Sequence, residues 1–423
     1  MQRSHLTPQQ PPTPALVLDV PKLDSFVTRF QDALAHGWPN SILSYSFKTN
    51  ALPWLLSYMR ERGVWAEVVS DTEYELALAM GYEPDRIVYN GPIKSRDRLW
   101  AALVQGSVVN LDSKREVIWT AELAGRLPET TLAVGLRVNW DVNSYCPGES
   151  TSTSAHSRFG FNPESGELDA AITTLTDAGV NIAGLHMHRN SQTQSIAVFR
   201  AAATVAKELI TSRNLHLDWV DIGGGFFGAE DNQPTFTEYV TAIREVLDDV
   251  VDPAETQLIV EPGGALIAVP VEFHASVIDI KQVNDQTFVV TDASRTNIDP
   301  LFRRKRPFQY ELQTEATETR PSQTIGGFTC MEDDRLMELP NERALAMGDR
   351  IIFYQVGAYT MSFQPQFFIE PPPAVYVRTH AELIQVRPKS TVQDYVQGQR
   401  WMPVKDTLDD APNGMGPWLA PSG

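Results

Sequence analysis

The chain has 423 residues, 42% of them apolar and 21% charged, with 29 prolines, 26 glycines and a net charge of −18. That balance excludes a disordered, collagen-like or disulfide-scaffold chain, and so acidic a surface repels phosphate backbones and speaks against nucleic-acid binding. The two cysteines, Cys146 and Cys330, are too few for a disulfide framework or a cysteine-rich zinc site and fit a reducing cytoplasm. Residues 1–14, rich in Pro and Gln, lack the apolar core of a signal peptide and read as a flexible tail. No apolar stretch reaches the ~20 residues that span a bilayer, so a cytoplasmic protein without a membrane segment is expected. Its length predicts two or three domains, unless one is a large barrel.

PALVLDV (14–20) reads as a strand that precedes the main repeat and joins a later β domain. Eight short apolar runs follow: SILSYSF (41–47), VWAEVVS (64–70), RIVYN (86–90), SVVNLD (107–112), LAVGLRVN (132–139), IAGLHMH (182–188), LDWVDIGG (217–224) and QLIVEP (257–262). Most are rich in β-branched residues and too short for helices. Amphipathic stretches such as DTEYELALAMG, IAVFRAAATVAKELITS and FTEYVTAIREVLDDV separate them. Eight strand–helix units match a parallel (β/α)8 barrel, with a doubly wound open sheet as the alternative. Beyond residue 270, VPVEFHASVIDIKQV, QTFVVTDAS, RIIFYQVGAYTMSF and AVYVRTH predict an all-β domain. The organisation is then a tail (1–14), a strand and helix joining the β domain (15–35), a barrel (36–270), the β domain (271–403) and an irregular tail (404–423).

Reactive residues of a parallel barrel gather at the C-terminal ends of its strands. Lys48 closes the first strand; a lysine there is either a snorkelling surface residue or, desolvated at the barrel mouth, a neutral nucleophile for Schiff-base chemistry. His186 and His188 share one face of the sixth strand, as a metal pair, as core histidines, or with an imidazole stacked on a flat cofactor whose phosphate Ser191 holds. Gly223–Gly228 satisfies G-x-G-x-x-G, a weak dinucleotide signal at the seventh strand, and its three consecutive glycines let amides approach a phosphate. Glu261 ends the eighth strand, where a carboxylate is costly unless paired, for instance with a protonated pyridine. In the β domain, Cys330 stands beside Glu332, Asp333 and Asp334, and Tyr359 follows a strand and a glycine; a buried thiol near an acidic turn and a core aromatic are the plain alternatives.

SFKTN, HMHRNSQ, DIGGGFFG, EPGG, GGFTCMEDD and GAYTMSF, in that order, resemble the fold type III decarboxylases dependent on pyridoxal 5'-phosphate, the family of diaminopimelate and ornithine decarboxylases. The resemblance covers residues 14 to 378. It implies a (β/α)8 barrel of the alanine racemase type plus a C-terminal β domain, and a head-to-tail homodimer with shared active sites. It also implies that Lys48 binds the cofactor as a Schiff base and His188 stacks on its ring. Ser191, Gly224, Gly225, Gly263 and Gly264 would hold the phosphate, and Glu261 would pair with the ring nitrogen. Cys330 from the partner subunit would lie beside the substrate Cα and share its protonation with Lys48, while Tyr359 would close over the cofactor. Glu73 matches an acidic position of the family after the second strand.

Departures from the family pattern fall at substrate recognition. Gly264 replaces an arginine, Asn190 a glycine, and Met331 the acidic residue after the cysteine. The segment that clamps the distal carboxylate of diaminopimelate reads Asp299-Pro-Leu-Phe-Arg303. Asp299, Arg303, Glu332, Asp334 and Tyr359 remain as candidates for substrate contact; Asp334 matches an acidic position of relatives that do not act on diaminopimelate. Arg303 belongs either to a solvated RRKR turn or to a fork for a carboxylate. The expectation is an amino-acid decarboxylase that releases an amine, not a standard meso-diaminopimelate enzyme, serving a specialised pathway such as siderophore or secondary-metabolite assembly. The alternatives are diaminopimelate, ornithine or lysine decarboxylase proper, a racemase or elimination enzyme, a non-catalytic homologue that binds another protein, and a nicotinamide enzyme resting on the glycine run alone.

Overall fold

The computed structural model describes residues 10–151, 157–227, 233–304, 306–363 and 367–398. The second predicted tail, Gly228 and residues 1–9 lie outside that set. Residues 10–14 are held against the β domain, contrary to the reading of the whole 1–14 segment as a tail. Arg350 donates to the Pro11 carbonyl at 2.9 Å, and the Thr13 and Ser276 hydroxyls are 2.7 Å apart.

Strand β1 (Ala15–Asp19) leads into the helix Val20–Gly37, whose start is fixed by the Asp19 carboxylate accepting from the Lys22 amide at 3.0 Å. Leu23, Phe26, Val27, Phe30 and Leu34 recur at helical spacing and are buried. Phe30 stacks on Phe236 of the helix Phe236–Leu247, with ring centroids 4.1 Å apart.

The barrel then closes from β2 (Ser41–Ser46), β3 (Trp65–Val68), β4 (Ile87–Tyr89), β5 (Val108–Leu111), β6 (Ala133–Arg137), β7 (Asn181–His186), β8 (Trp219–Gly223) and β9 (Gln257–Val260). All neighbours are parallel, and Ile42 of β2 pairs with Ile259 of β9 to seal the ring. Each strand is the one expected from the apolar runs. Ile42, Val88, Ala183, Trp219 and Ile259 fill the interior. Trp219 fits because its neighbour has no side chain: a Cβ on Gly184 would stand 2.0 Å from the indole nitrogen.

The second body is a sheet of β10 (Val271–Val283), β11 (Gln286–Thr291), β12 (Gln309–Gln313), β13 (Thr319–Gly326), β14 (Arg335–Arg343), β15 (Arg350–Tyr354), β16 (Ala374–Arg378) and β17 (Leu383–Arg387), together with β1. The order is β14-β13-β11-β10-β1-β16-β17, with β15 pairing both β10 and β12. Thus β1 lies between β10, antiparallel, and β16, parallel, as the sequence suggested. Glu272 of β10 ties this junction. Its carboxylate accepts from Arg378 of β16 at 2.9 Å and lies 3.2 Å from His274 Nε2 and 3.4 Å from Lys22 Nζ.

Candidate active site

The C-terminal ends of the barrel strands open into a cavity of about 830 Å³ whose lining includes Lys48, Glu67, Arg137, His188, Ser191 and Glu261. Lys48 stands in a single 3-10 turn, Phe47–Thr49, directly after β2. Its amine donates to Glu67 Oε2 at 2.7 Å and to the Ser46 hydroxyl at 2.8 Å. Burial disfavours the ammonium, but Glu67, the nearby Glu261 and the Glu67 hydrogen bond outweigh it, so the Lys48 pKa is raised. Of the two readings of a lysine at this place, the structure puts the side chain in the cavity, paired with Glu67.

His186 and His188 follow one another on one face of the chain, their rings 6.2 Å apart and nearly parallel. His188 Nδ1 accepts the Gly224 amide at 3.1 Å, so its proton sits on Nε2. Burial and Arg137 push His188 down to about 3, and the ring is a neutral, flat surface. His186 is buried with neither ring nitrogen hydrogen-bonded, and burial holds it neutral too. Among the described residues, His186, Asp221 and Glu261 bring one ligand-type atom each within 4.8 Å of one another. The Asp221 carboxylate accepts from the Gly223 amide at 2.9 Å and from Asn110 Nδ2 at 2.8 Å, and Glu261 accepts from Asn90 Nδ2, so both carboxylates of the cluster already hold amide donors.

Two glycine turns face the cavity. Gly225 has φ +99°, and a Cβ built on it would meet nothing within 4 Å, so the turn is open toward the cavity. Gly263 is the opposite case: a Cβ there would lie 2.0 Å from the Thr49 hydroxyl. The Ser191 hydroxyl accepts the Gln194 amide at 2.9 Å and keeps its own O–H as a donor. An amine, a flat imidazole, a hydroxyl beside an open glycine turn and a carboxylate fit the aldehyde, ring, phosphate and ring nitrogen of pyridoxal phosphate. Tyr359 also lines the cavity; its amide donates to the Thr49 carbonyl at 2.9 Å while its side chain is 47% exposed.

The remaining candidates lie elsewhere in this chain. Cys330 is exposed and is not in a disulfide. Neither it nor Asp299, Arg303, Glu332 or Asp334 is among the residues that line the cavity. Asp334 is buried, and its oxygens accept from the Ser294 hydroxyl, the Arg295 amide and the Thr329 amide and hydroxyl. Asp299 accepts from the Arg295 guanidinium at 2.7 Å and from the Arg303 amide at 3.0 Å. Asp299 thus holds its own turn, while Asp334 ties the Thr329 turn to Ser294 and Arg295. Glu73 accepts the Val69 amide at 2.8 Å, closing the turn after β3.

Sequence reasoning passed over Glu67, Asn90, Asn110, Arg137 and Asp221. Asn90 Nδ2 donates to Glu67 Oε1 at 3.1 Å and also to Glu261 Oε1. Asn110 Nδ2 donates to Asn90 Oδ1 at 2.9 Å and to Asp221 Oδ2 at 2.8 Å. Arg137 donates to Asp112 at 2.8 Å and lies over the Phe159 ring. The signal was present: each is a polar residue within an otherwise apolar barrel strand or at its C-terminal end.

The family model of the pyridoxal-dependent decarboxylases, pyridoxal binding domain, matches residues 23–268. Diaminopimelate decarboxylase of Zymomonas mobilis is 28% identical over 399 residues, covering 92% of this chain and 93% of that protein. Ornithine decarboxylase of Caenorhabditis elegans is 25% identical, covering 88% and 89%. The structure of diaminopimelate decarboxylase from M. jannaschii in complex with L-lysine superposes with a TM-score of 0.81 at 22% identity, covering 92% of each chain, and shows the shared fold. The relatives include the diaminopimelate enzymes that the substituted recognition positions argue against, and nothing among them supports the expected specialised pathway. The barrel, the converging lysine, histidine and glutamate, and the family match lead to one conclusion: this chain belongs to the pyridoxal-dependent decarboxylases, carboxy-lyases that act on amino acids.

Proposed function

We propose that the protein decarboxylates an α-amino acid whose distal end differs from that of meso-diaminopimelate, as a homodimer in which the partner subunit's Cys330 completes each site. One observation carries this reading. Lys48, His188, Glu261 and the glycine turns share one cavity, whereas Cys330 sits on an exposed turn that does not line the cavity of its own chain.

Bound pyridoxal phosphate supplies an electron sink for the Cα–carboxylate bond. The residues do the rest. Lys48 is the amine that would hold the cofactor, and Glu67 orients it by accepting its hydrogen bond. His188, kept neutral, offers its ring face without adding charge. Ser191 and the Gly225 turn receive the phosphate, and Tyr359 covers it. Glu261 meets the ring nitrogen. Lys48 or the partner subunit's Cys330 returns a proton to Cα. Gly224 spends its amide on His188, so its part is to orient that ring.

Met331 puts an apolar side chain at the position directly after the cysteine, and the Asp299 carboxylate is engaged by Arg295 and the Arg303 amide. Both weigh against a diaminopimelate site. The second reading, a diaminopimelate decarboxylase proper, is favoured by the names of relatives such as the Zymomonas enzyme. Purified protein and Lys48→Ala should be assayed for CO2 and amine with meso-diaminopimelate, ornithine, lysine and arginine. Equal amounts of CO2 and amine, with some substrate preferred over meso-diaminopimelate, are expected from the wild type alone. A preference for meso-diaminopimelate overturns the substrate reading. Absence of a cofactor absorbance band that borohydride fixes at Lys48 overturns the assignment of Lys48.

A further inference from the structure

We propose that the buried ion pair of Lys94 and Glu116 is a positioning device of the active site: it ties down the backbone that follows β4 and β5 and so holds Asn90 and Arg137 at the cavity. The proposal rests on the reading of that cavity as the cofactor site and does not depend on which amino acid is the substrate.

Lys94 lies between β4 and the helix Arg96–Val104, and Glu116 in the first turn of the helix Lys114–Arg126, which follows β5. Both side chains are fully buried, and neither is among the residues that line the cavity. Lys94 Nζ donates to the Gly91 carbonyl at 2.9 Å, to the Asn110 carbonyl at 3.0 Å and to Glu116 Oε2 at 3.3 Å. An ammonium has three hydrogens, and here each has an acceptor. Glu116 Oε2 also accepts the Asp112 amide at 2.8 Å. The pair therefore grips three backbone groups, at Gly91, Asn110 and Asp112.

Each of the three bears or adjoins a side chain of the site. Gly91 follows Asn90, and both line the cavity. Asn90 Nδ2 donates to Glu67 Oε1 at 3.1 Å and to Glu261 Oε1, the carboxylates that face Lys48 and the cofactor's ring nitrogen. Asn110 Nδ2 donates to Asn90 Oδ1 at 2.9 Å, so Lys94 holds Asn90 from two sides. The backbone there has no slack: Gly91 has φ +91°, and a Cβ on it would stand 2.1 Å from the Val69 carbonyl oxygen. Asp112 accepts from Arg137 at 2.8 Å and from the Gly160 amide at 3.1 Å. Arg137 lines the cavity together with Phe159, over whose ring its guanidinium lies at 4.5 Å.

Stability alone does not call for such a pair. A buried ion pair gains little over apolar side chains of similar volume, because desolvation offsets the attraction. Apolar side chains at positions 94 and 116, however, would offer no donor to the Gly91 and Asn110 carbonyls and no acceptor to the Asp112 amide. What the ion pair adds is orientation. Lys94 and Glu116 act through Asn90 and Arg137 and take no part in the chemistry themselves.

Hydrogen exchange on the cofactor-free full chain tests this independently of activity, in Lys94→Met/Glu116→Leu. The Asn90 amide donates to the Val68 carbonyl at 2.8 Å and the Gly160 amide to Asp112, so both report on the segments that the pair holds. Their exchange should quicken beyond any change in the amides of the β7–β8 ladder. Equal quickening throughout, as a merely structural role requires, or none at Asn90 and Gly160, overturns the proposal. If that variant fails to fold, Lys94→Met/Glu116→Gln serves, since its side-chain oxygen still accepts the Asp112 amide; Asn90 should then quicken, and an unmoved Asn90 overturns the proposal. In the loaded enzyme, either variant should lower kcat by about 10- to 100-fold, the scale of a small misplacement at a reacting centre. An unchanged kcat overturns the proposal. A wild type without decarboxylase activity would count against the proposed function instead, and the exchange comparison then decides the positioning role by itself.

Discussion

Glu272→Gln tests the electrostatics that join the two bodies of the chain. Glu272 is 5% exposed on β10 and meets His274, Arg378 and Lys22. Burial raises its pKa, but the His274 hydrogen bond and the Arg378 and Lys22 charges outweigh it and bring the carboxyl from 4.5 down to about 2. At 1.36 kcal/mol per pH unit, such a depression contributes about 3 kcal/mol when the group is ionised in both states. A depressed carboxyl gives stability that is fully present above its unfolded pKa and lost as pH falls through the folded one. The contribution at about pH 3 is therefore about 1.4 kcal/mol, roughly two-fifths of its neutral value. Urea unfolding of wild type and Glu272→Gln at neutral pH and at about pH 3 reads both quantities. The wild type should be more stable by about 3 kcal/mol at neutral pH, and the gap should shrink on acidification. An equal gap at both pH values, or none at neutral pH, would refute the reasoning.

Other perturbations bear on the cavity. Glu67→Gln removes the largest influence that raises the Lys48 pKa, so burial should lower it. The pH profile of amine-reagent modification at Lys48 in cofactor-free protein should then move to lower pH; an unmoved profile contradicts the ion-pair account. Gly263→Ala forces a Cβ to within 2.0 Å of Thr49 Oγ1 and should cost about 1–3 kcal/mol as overpacking, read in a urea melt together with weaker cofactor retention. Gly264→Arg meets only the Ala358 methyl at 3.6 Å, so it should fold normally; a large loss of stability would show that the glycine is structurally required. Asp334→Ala strands four backbone or hydroxyl donors and should destabilise the Cys330 turn, detected as faster hydrogen exchange at Thr329 and Arg295. A change confined to substrate KM would instead place Asp334 at the substrate.

The eight barrel strands were legible because each is a short apolar run, most of them rich in β-branched residues, and parallel strands, buried on both faces, need no alternation. Lys48, His188 and Glu261 were legible because a polar residue ending such a run is conspicuous. Asn90, Asn110 and Asp221 stand out in the same way, yet their partners come from other strands, up to 171 residues away for Asn90 and Glu261. Register around a closed ring, which no local pattern carries, decides which of them touch. Asp299 and Asp334 illustrate the reverse difficulty. Each reads from sequence as a candidate ligand for substrate, but Asp299 accepts the Arg303 amide and the Arg295 guanidinium, and Asp334 accepts the Arg295 amide from 39 residues away. The expected sharing of the site with a partner subunit lies outside single-chain reasoning and rests on resemblance.

The insertion of β1 between β10 and β16 also governs the order of assembly on the ribosome. Leu16 pairs with Phe273 on one side and Val375 on the other, so the first strand made waits for nearly the last. The barrel strands, complete by Val260, are synthesised in full while β1 still has both edges unpaired. A nascent chain stopped before Ala374 would leave β1 with one open edge, a template for pairing with another chain. The polar and charged ties at Glu272, drawn from β10, the first helix and β16, close that edge only when Arg378 has emerged.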